Sequence, residues 1–297
     1  MTNGRDVWLD GAHWNLYTPL KDLGHEVYFY DTVAPQESNF SQLVDSFKPD
    51  LIFCCLTNDK KIAPHEPWEE LIKYNDSGLV KTFNWFCDDT WRFETFSKHT
   101  CHFFTVCSTP EVAYIEKFKT EANYPNIILG LWHSNIDFYP KEKVDKKYDI
   151  LLCGHLNQDR VGFLKYLAQK GIGVQHAHGL EYEEMLRRLA EARIGINFSK
   201  NFNGLHPVLQ LKGRMFEVPG AKSLLLTEYA PGLEYHYDID KDIVTFESPQ
   251  EMYEKTKKLL GNPGAAEIIA MNGYNRFMRD HESHVRLKNV LEEINKI

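Results

Sequence analysis

Tyr148-Asp-Ile-Leu-Leu-Cys-Gly-His-Leu-Asn-Gln-Asp-Arg160 reads as a buried strand, a glycine turn and the opening of a helix. A short apolar run without polar alternation suits a strand covered on both faces, as in a parallel sheet. The same unit recurs downstream, with strands expected at Ile150 to Cys153, Ile172 to Gln175, Ile194 to Phe198, Ser223 to Leu226 and Ile243 to Phe246. Upstream, Val7 to Leu9, Val27 to Tyr30, Leu51 to Cys55, Val80 to Phe86, Phe103 to Cys107 and Ile127 to Leu129 repeat it. The class is α/β, as two similar halves with a helical tail.

Between the halves, Asp137 to Lys147 turns charged and proline-marked, a composition no core accepts. The expected domains are 1–142 and 143–297, with the last helix free to pack back on the first. Glu181 to Arg193 places Met185, Leu186, Leu189 and Ala190 on one helical face. Ser248-Pro-Gln-Glu251 is a capping box, and Gly261-Asn-Pro263 ends the helix it starts. From Gly264 the chain is expected to be helical, broken near Asp280-His281.

The 297 residues carry 34 Lys plus Arg against 42 Asp plus Glu, a formal charge of -8, so no overall basic field draws the chain to nucleic acid or anionic lipid. No apolar run approaches the roughly 18 residues of a membrane span, and Met1-Thr-Asn-Gly leads into a strand without a signal-peptide core. The expectation is a soluble cytoplasmic protein, in the host cytoplasm if virus-encoded. The six cysteines form no CxxC pair and read as reduced, and the Asn-x-Ser sequons at Asn39, Asn75 and Asn197 read as chance.

In open parallel sheets ligands bind beyond the carboxyl ends of the strands. The first such loop, Asp10-Gly-Ala-His-Trp14, offers Gly11 for close approach and His13 as a base, and it is not a dinucleotide fingerprint. Phe83-Asn-Trp-Phe-Cys-Asp-Asp-Thr-Trp91 places Asp88 and Asp89 between Trp85 and Trp91, which suits sugar handling. The plainer alternative is a helix cap. Gly154 and the helix start beyond it suit a phosphate that Arg160 neutralises. Lys212, Arg214 and Glu217 combine cations for a diphosphate with a carboxylate for a ribose diol, against the bland alternative of a salt-bridged surface helix. His176 and His178 alternate on one strand, but no third zinc ligand of recognisable spacing accompanies them.

Arg214-Met-Phe-Glu-Val-Pro-Gly-Ala-Lys-Ser-Leu-Leu-Leu-Thr227, with Pro231-Gly-Leu-Glu234, Ile243 to Met252 and Lys258-Leu-Leu-Gly-Asn-Pro263, resembles the C-terminal half of CgeB-type glycosyltransferases. These belong to the GT-B superfamily with the glycosyltransferase group 1 domain. The resemblance implies two Rossmann-like domains facing across a cleft. It places the nucleotide-sugar donor on the C-terminal domain and the acceptor on the N-terminal one, with no cofactor and no obligatory metal. It makes Glu217 the second of a glutamate pair, holding the donor ribose, and puts Arg160 in place of the phosphate-binding lysine. Gly154 and His155 fall on the family's Gly-Arg, and Ser199, Asn203, Gly204 and His206 lie in the loop that approaches the donor. Three residues depart from the pattern: His155 for an arginine, Leu209 for the first glutamate and Lys222 for a glycine. Stereochemistry is therefore open, with His13 or Asp88 as base if the reaction inverts.

The expected activity moves a sugar from a nucleotide-diphosphate donor, taken as UDP-linked, to a hydroxyl of a glycan, protein, metabolite or modified DNA base. The acidic balance argues against DNA. A non-catalytic nucleotide-sugar or glycan-binding protein of the same fold is the alternative from another class. An epimerase would need no acceptor, and a periplasmic-type binding protein would need an export signal.

Overall fold

The computed structural model describes residues 13–35, 38–130, 132–201 and 207–297. The chain divides into two compact units, Met1–Leu131 with Arg286–Ile297, and Trp132–Val285. The division falls before the charged segment that composition suggests. The reason is that 133–139 is bonded into the second unit: His133 Nδ1 lies 2.8 Å from Ser283 Oγ, and the Ser283 N–H donates to Ser134 O at 3.1 Å. Residues 286–297 group with the first unit, where Lys81 Nζ donates to Ile294 O at 3.2 Å.

In the first unit, β1 (Leu51–Cys54), β2 (Lys81–Trp85), β3 (Val106–Thr109) and β4 (Ile127–Leu129) lie side by side in chain order, all parallel. The run Val7 to Leu9 lies outside the described residues, and Val27 to Tyr30 forms no strand. β3 begins later than the apolar run because Cys101–Phe103 is wound into a 3-10 turn, closed by the Phe104 N–H on Cys101 O at 3.1 Å. Aromatic residues fill this core. Phe86 stacks on Phe118 with centroids 5.8 Å apart, and Phe93 meets Phe118 edge-on at 5.0 Å.

In the second unit, β5 (Tyr148–Cys153), β6 (Gln175–Ala177), β7 (Ala192–Asn197), β10 (Leu224–Glu228) and β11 (Val244–Phe246) form a parallel sheet in the order β11-β10-β7-β5-β6. Between them β8 (Lys200–Asn201) and β9 (Val208–Leu209) make a small antiparallel pair. Every residue of β10 is buried: Leu224–Leu226 as a strand covered on both faces requires, and Thr227 and Glu228 with hydrogen bonds to Asn197 and Lys200. Numbered by their place in this sheet, the strands run 2-1-3-4-5 from β6 to β11. The order reverses between β5 and β7, the point at which α/β sheets of this kind open a crevice for a ligand.

The helix predicted to reach Arg193 spans Tyr182–Ala190, because β7 takes over at Ala192. Pro249–Gly261 is capped as read, with the Glu251 N–H donating to Ser248 Oγ at 3.2 Å. Glu251 reaches back one residue further than a standard box, accepting the Glu247 N–H at 2.8 Å. Ser248→Ala is expected to lower stability by about 1 kcal/mol, measured by denaturant titration. Asn262 caps the following helix, Pro263–Asp280, and Ser283–Lys296 completes the tail, broken where the sequence indicates.

Candidate functional site

The helix Arg214–Gly220 is short and contains Pro219, so its register depends on what holds it. Pro219 has no N–H to offer Met215 O, the carbonyl four residues back. Tyr237 OH donates to that carbonyl instead, at 3.1 Å, and Tyr139 OH donates to Glu217 O at 3.2 Å. Below the helix lies Gly195 of β7, where an added Cβ would come within 2.7 Å of Val218 Cγ1 and 2.9 Å of Cγ2. Only a residue without a side chain lets the helix sit this close. Gly195→Ala is expected to destabilise the unit by about 1–3 kcal/mol, and Val218→Ala in the same chain to recover part of it, by thermal unfolding.

This seating brings the start of the helix to the carboxyl ends of β5 and β7, where a cavity of about 310 Å³ opens at the point of reversed strand order. β5 and its turn supply Leu152, Cys153 and Gly154; β7 and its extension supply Ile196, Asn197 and Phe198; Arg160, Lys212, Gly213, Arg214 and Glu217 complete the wall. Gly154 has φ +145 with open space at its Cβ position, so backbone conformation, not room, requires glycine. Burial pushes the Cys153 thiol up, leaving it a neutral wall.

Arg160 and the Arg214–Glu217 pair give the cavity its charge. Arg214 Nη1 lies 2.7 Å from Glu217 Oε2, with side chains only 20% and 14% exposed. Arg160 donates through Nη1 to His155 O at 2.6 Å, and its guanidinium carbon lies 5.8 Å from the Phe198 ring centroid. Its Nε is buried with no hydrogen-bond partner among the described residues. Burial lowers the Arg160 pKa, opposed by Glu228 and Asp159. The helix start is partly capped already, since Asn157 Oδ1 accepts the Arg160 N–H at 2.9 Å.

The other donor-side candidates are placed differently. Lys212 lines the cavity, but its ammonium donates to Phe198 O at 2.9 Å and Lys200 O at 3.1 Å. Ser199 is fully buried, its hydroxyl donating to Glu228 O at 2.5 Å. His155 is exposed, its ring edge-on to His178 at 5.5 Å, while His176 Nε2 lies 2.7 Å from Gly154 O. Asn203, Gly204 and His206 lie outside the described residues, as do Gly11 and the side chain of His13. Sequence reading missed Asn197 and Phe198, which line the cavity; the available signal was their position at a strand end.

The candidates of the first unit are not gathered into a comparable site. Trp85 is a core residue, its indole N–H donating to Gly130 O at 3.0 Å, and Trp91 is 37% exposed. Asp88 precedes the turn Asp89–Arg92 and lines a small cavity of about 50 Å³ with Cys55, Thr57, Cys87 and Arg92. Asp89 is 1% exposed, accepts the Ser97 hydroxyl and stands out of reach of an acceptor in solution. Burial pushes its pKa up to about 6, against the hydrogen bonds from Ser97 and Thr109.

Two parallel α/β units with a helical C-terminal region are the architecture of GT-B glycosyltransferases, and solved structures of that class share it. Anabaena Alr3699/HepE, solved with UDP and glucose, is similar at TM-score 0.61 and 10% identity over 86% of this chain and 81% of its own. A glycosyltransferase from Rickettsia africae ESF-5 gives TM-score 0.58 and 9% identity over 95% and 87%. An alpha-glucosyltransferase in complex with UDP-glucose and DNA containing an abasic site gives 0.57 and 12% over 83% and 80%. The chain belongs to the glycosyl transferase-like family, whose model matches residues 141–292, just over half of the sequence. No curated protein matches it by sequence. Among the described residues no helix is long and apolar enough to cross a membrane.

Proposed function

We propose that this glycosyltransferase is of the CgeB type and moves a sugar from a UDP-linked donor to a hydroxyl of a glycan or protein. The observation that carries the reading is the Arg160 guanidinium: it lines a cavity at the switch point, and its buried Nε–H has no hydrogen-bond partner among the described residues. Such a donor suits a phosphate oxygen. In this reading Arg160 and Arg214 hold the diphosphate, and Glu217 accepts hydrogen bonds from the ribose diol. The UDP found in the Anabaena structure supports uridine as the base.

As the bond from the anomeric carbon to the diphosphate oxygen breaks, its electron pair stays on that oxygen. The two guanidinium groups stabilise the charge that develops, so the residues present supply the positive field without a metal. The acceptor oxygen forms the new bond and its proton passes to a base. A formal charge of -8 favours a neutral acceptor over a polyanion.

The test is a thermal-shift and calorimetry panel of UDP, GDP, ADP, CMP and TDP. A ligand at about 100 times its Kd adds about 2.7 kcal/mol to apparent stability. A shift selective for UDP is expected. No shift with any nucleotide in large excess, on folded protein, would overturn the assignment.

A further inference from the structure

We infer that Lys212 and Glu228 are positioning residues that clamp residues 198–200, one wall of the nucleotide cavity, between them. Lys212 is a cation on the cavity surface, yet its ammonium holds two backbone carbonyls two residues apart, Phe198 O and Lys200 O. From β10, the Glu228 carboxylate, 4% exposed, accepts the Lys200 N–H at 2.7 Å, and its carbonyl accepts the Ser199 hydroxyl. Apart from the Glu228 carbonyl, the backbone groups used here belong to Phe198 and Lys200, just beyond β7 and at the start of β8. The clamp fixes Phe198, whose ring lies beneath the Arg160 guanidinium.

Glu228 also tethers the Lys200 ammonium at 3.6 Å, which Asp159 meets at 3.4 Å. Asp159 and Glu228 both bear on Arg160. Lys200 is thereby drawn to the carboxylates and Arg160 keeps its charge toward the cavity. Lys212 acts on the bound nucleotide as a whole through the wall it holds, so its replacement disturbs the shape of the site more than its charge. This rests on the nucleotide reading above, but part of its test does not.

The experiment compares Lys212→Met and Lys212→Gln with the wild type in two assays. Hydrogen exchange on the ligand-free protein follows the amides of Lys200 and Gln210, the latter bonded to Ser199 O at 3.3 Å. Calorimetry compares UDP with uridine. Lys212→Met is expected to speed exchange at these amides about tenfold and to weaken UDP and uridine by the same factor. Lys212→Gln, whose neutral amide still donates to one carbonyl, is expected to restore much of both. Unchanged exchange, together with a UDP-over-uridine preference that collapses about tenfold in both variants, would make Lys212 a phosphate ligand and overturn the clamp. Should Lys212→Met fail to fold, Lys212→Gln alone decides, because a phosphate ligand would not tolerate loss of charge. Failure of the wild type to bind any nucleotide would sink the donor site, leaving the exchange result to judge the clamp by itself.

Discussion

Glu217→Ala is expected to weaken UDP binding by about 100-fold, the loss of roughly 3 kcal/mol that follows removal of two charge-assisted hydrogen bonds. The effect should be equal for uridine, because the carboxylate acts on the ribose and not on the phosphates. Arg160→Met should behave oppositely, weakening UDP and leaving uridine almost untouched. Arg214, 20% exposed and paired with Glu217 at 2.7 Å, loses that carboxylate but keeps its Nη1 hydrogen bond to Met185 Sδ, which holds the guanidinium in place for the diphosphate. The fold should survive, since Tyr139 and Tyr237 hold the backbone of this helix and not the Glu217 side chain. Calorimetric titration of both variants with both ligands checks the pattern. Equal UDP affinity in Glu217→Ala and wild type would remove the ribose assignment altogether.

The α/β class was legible because strands buried on both faces are apolar over most of their length, and Leu224-Leu225-Leu226 opens such a strand before it ends in Thr227 and Glu228. The domain boundary was less so. Charge and proline at 137–147 resemble a linker, whereas the bonds that place 133–139 in the second unit come from Ser283 and its neighbours, far along the chain. For the site, Gly154 and Arg160 were readable from their position after a strand and Arg214 and Glu217 from residue type, and all four line one cavity. Lys212 was readable as a cation, but its partners are backbone carbonyls, which leave no trace in side-chain patterns. In the first unit the same limit applies to Asp89 and Trp85. A carboxylate beside a sugar and one buried under Ser97 have the same local sequence, and a cleft indole looks like one donating to Gly130 O.

That buried carboxylate makes the second large effect. Asp89→Asn is expected to raise the stability of the first unit at pH about 7.5 by about 2–3 kcal/mol while leaving it nearly unchanged near pH 4. In the native state burial holds the Asp89 pKa at about 6, above its ordinary 3.8. The folded chain therefore keeps this proton over a range where the unfolded chain has released it. The stabilisation is complete below about pH 4 and is lost as pH rises through 6; above that, folding must bury a charge. Oδ2 has no partner among the described residues to offset the cost, while Oδ1 accepts the Ser97 hydroxyl. Asparagine is neutral throughout and keeps an acceptor for Ser97, so the variant should show no such fall. Denaturant unfolding of wild type and variant at both pH values is the measurement. A difference between them that does not change with pH would mean that Asp89 is ionised and compensated in the folded state, and the account of its burial would fail.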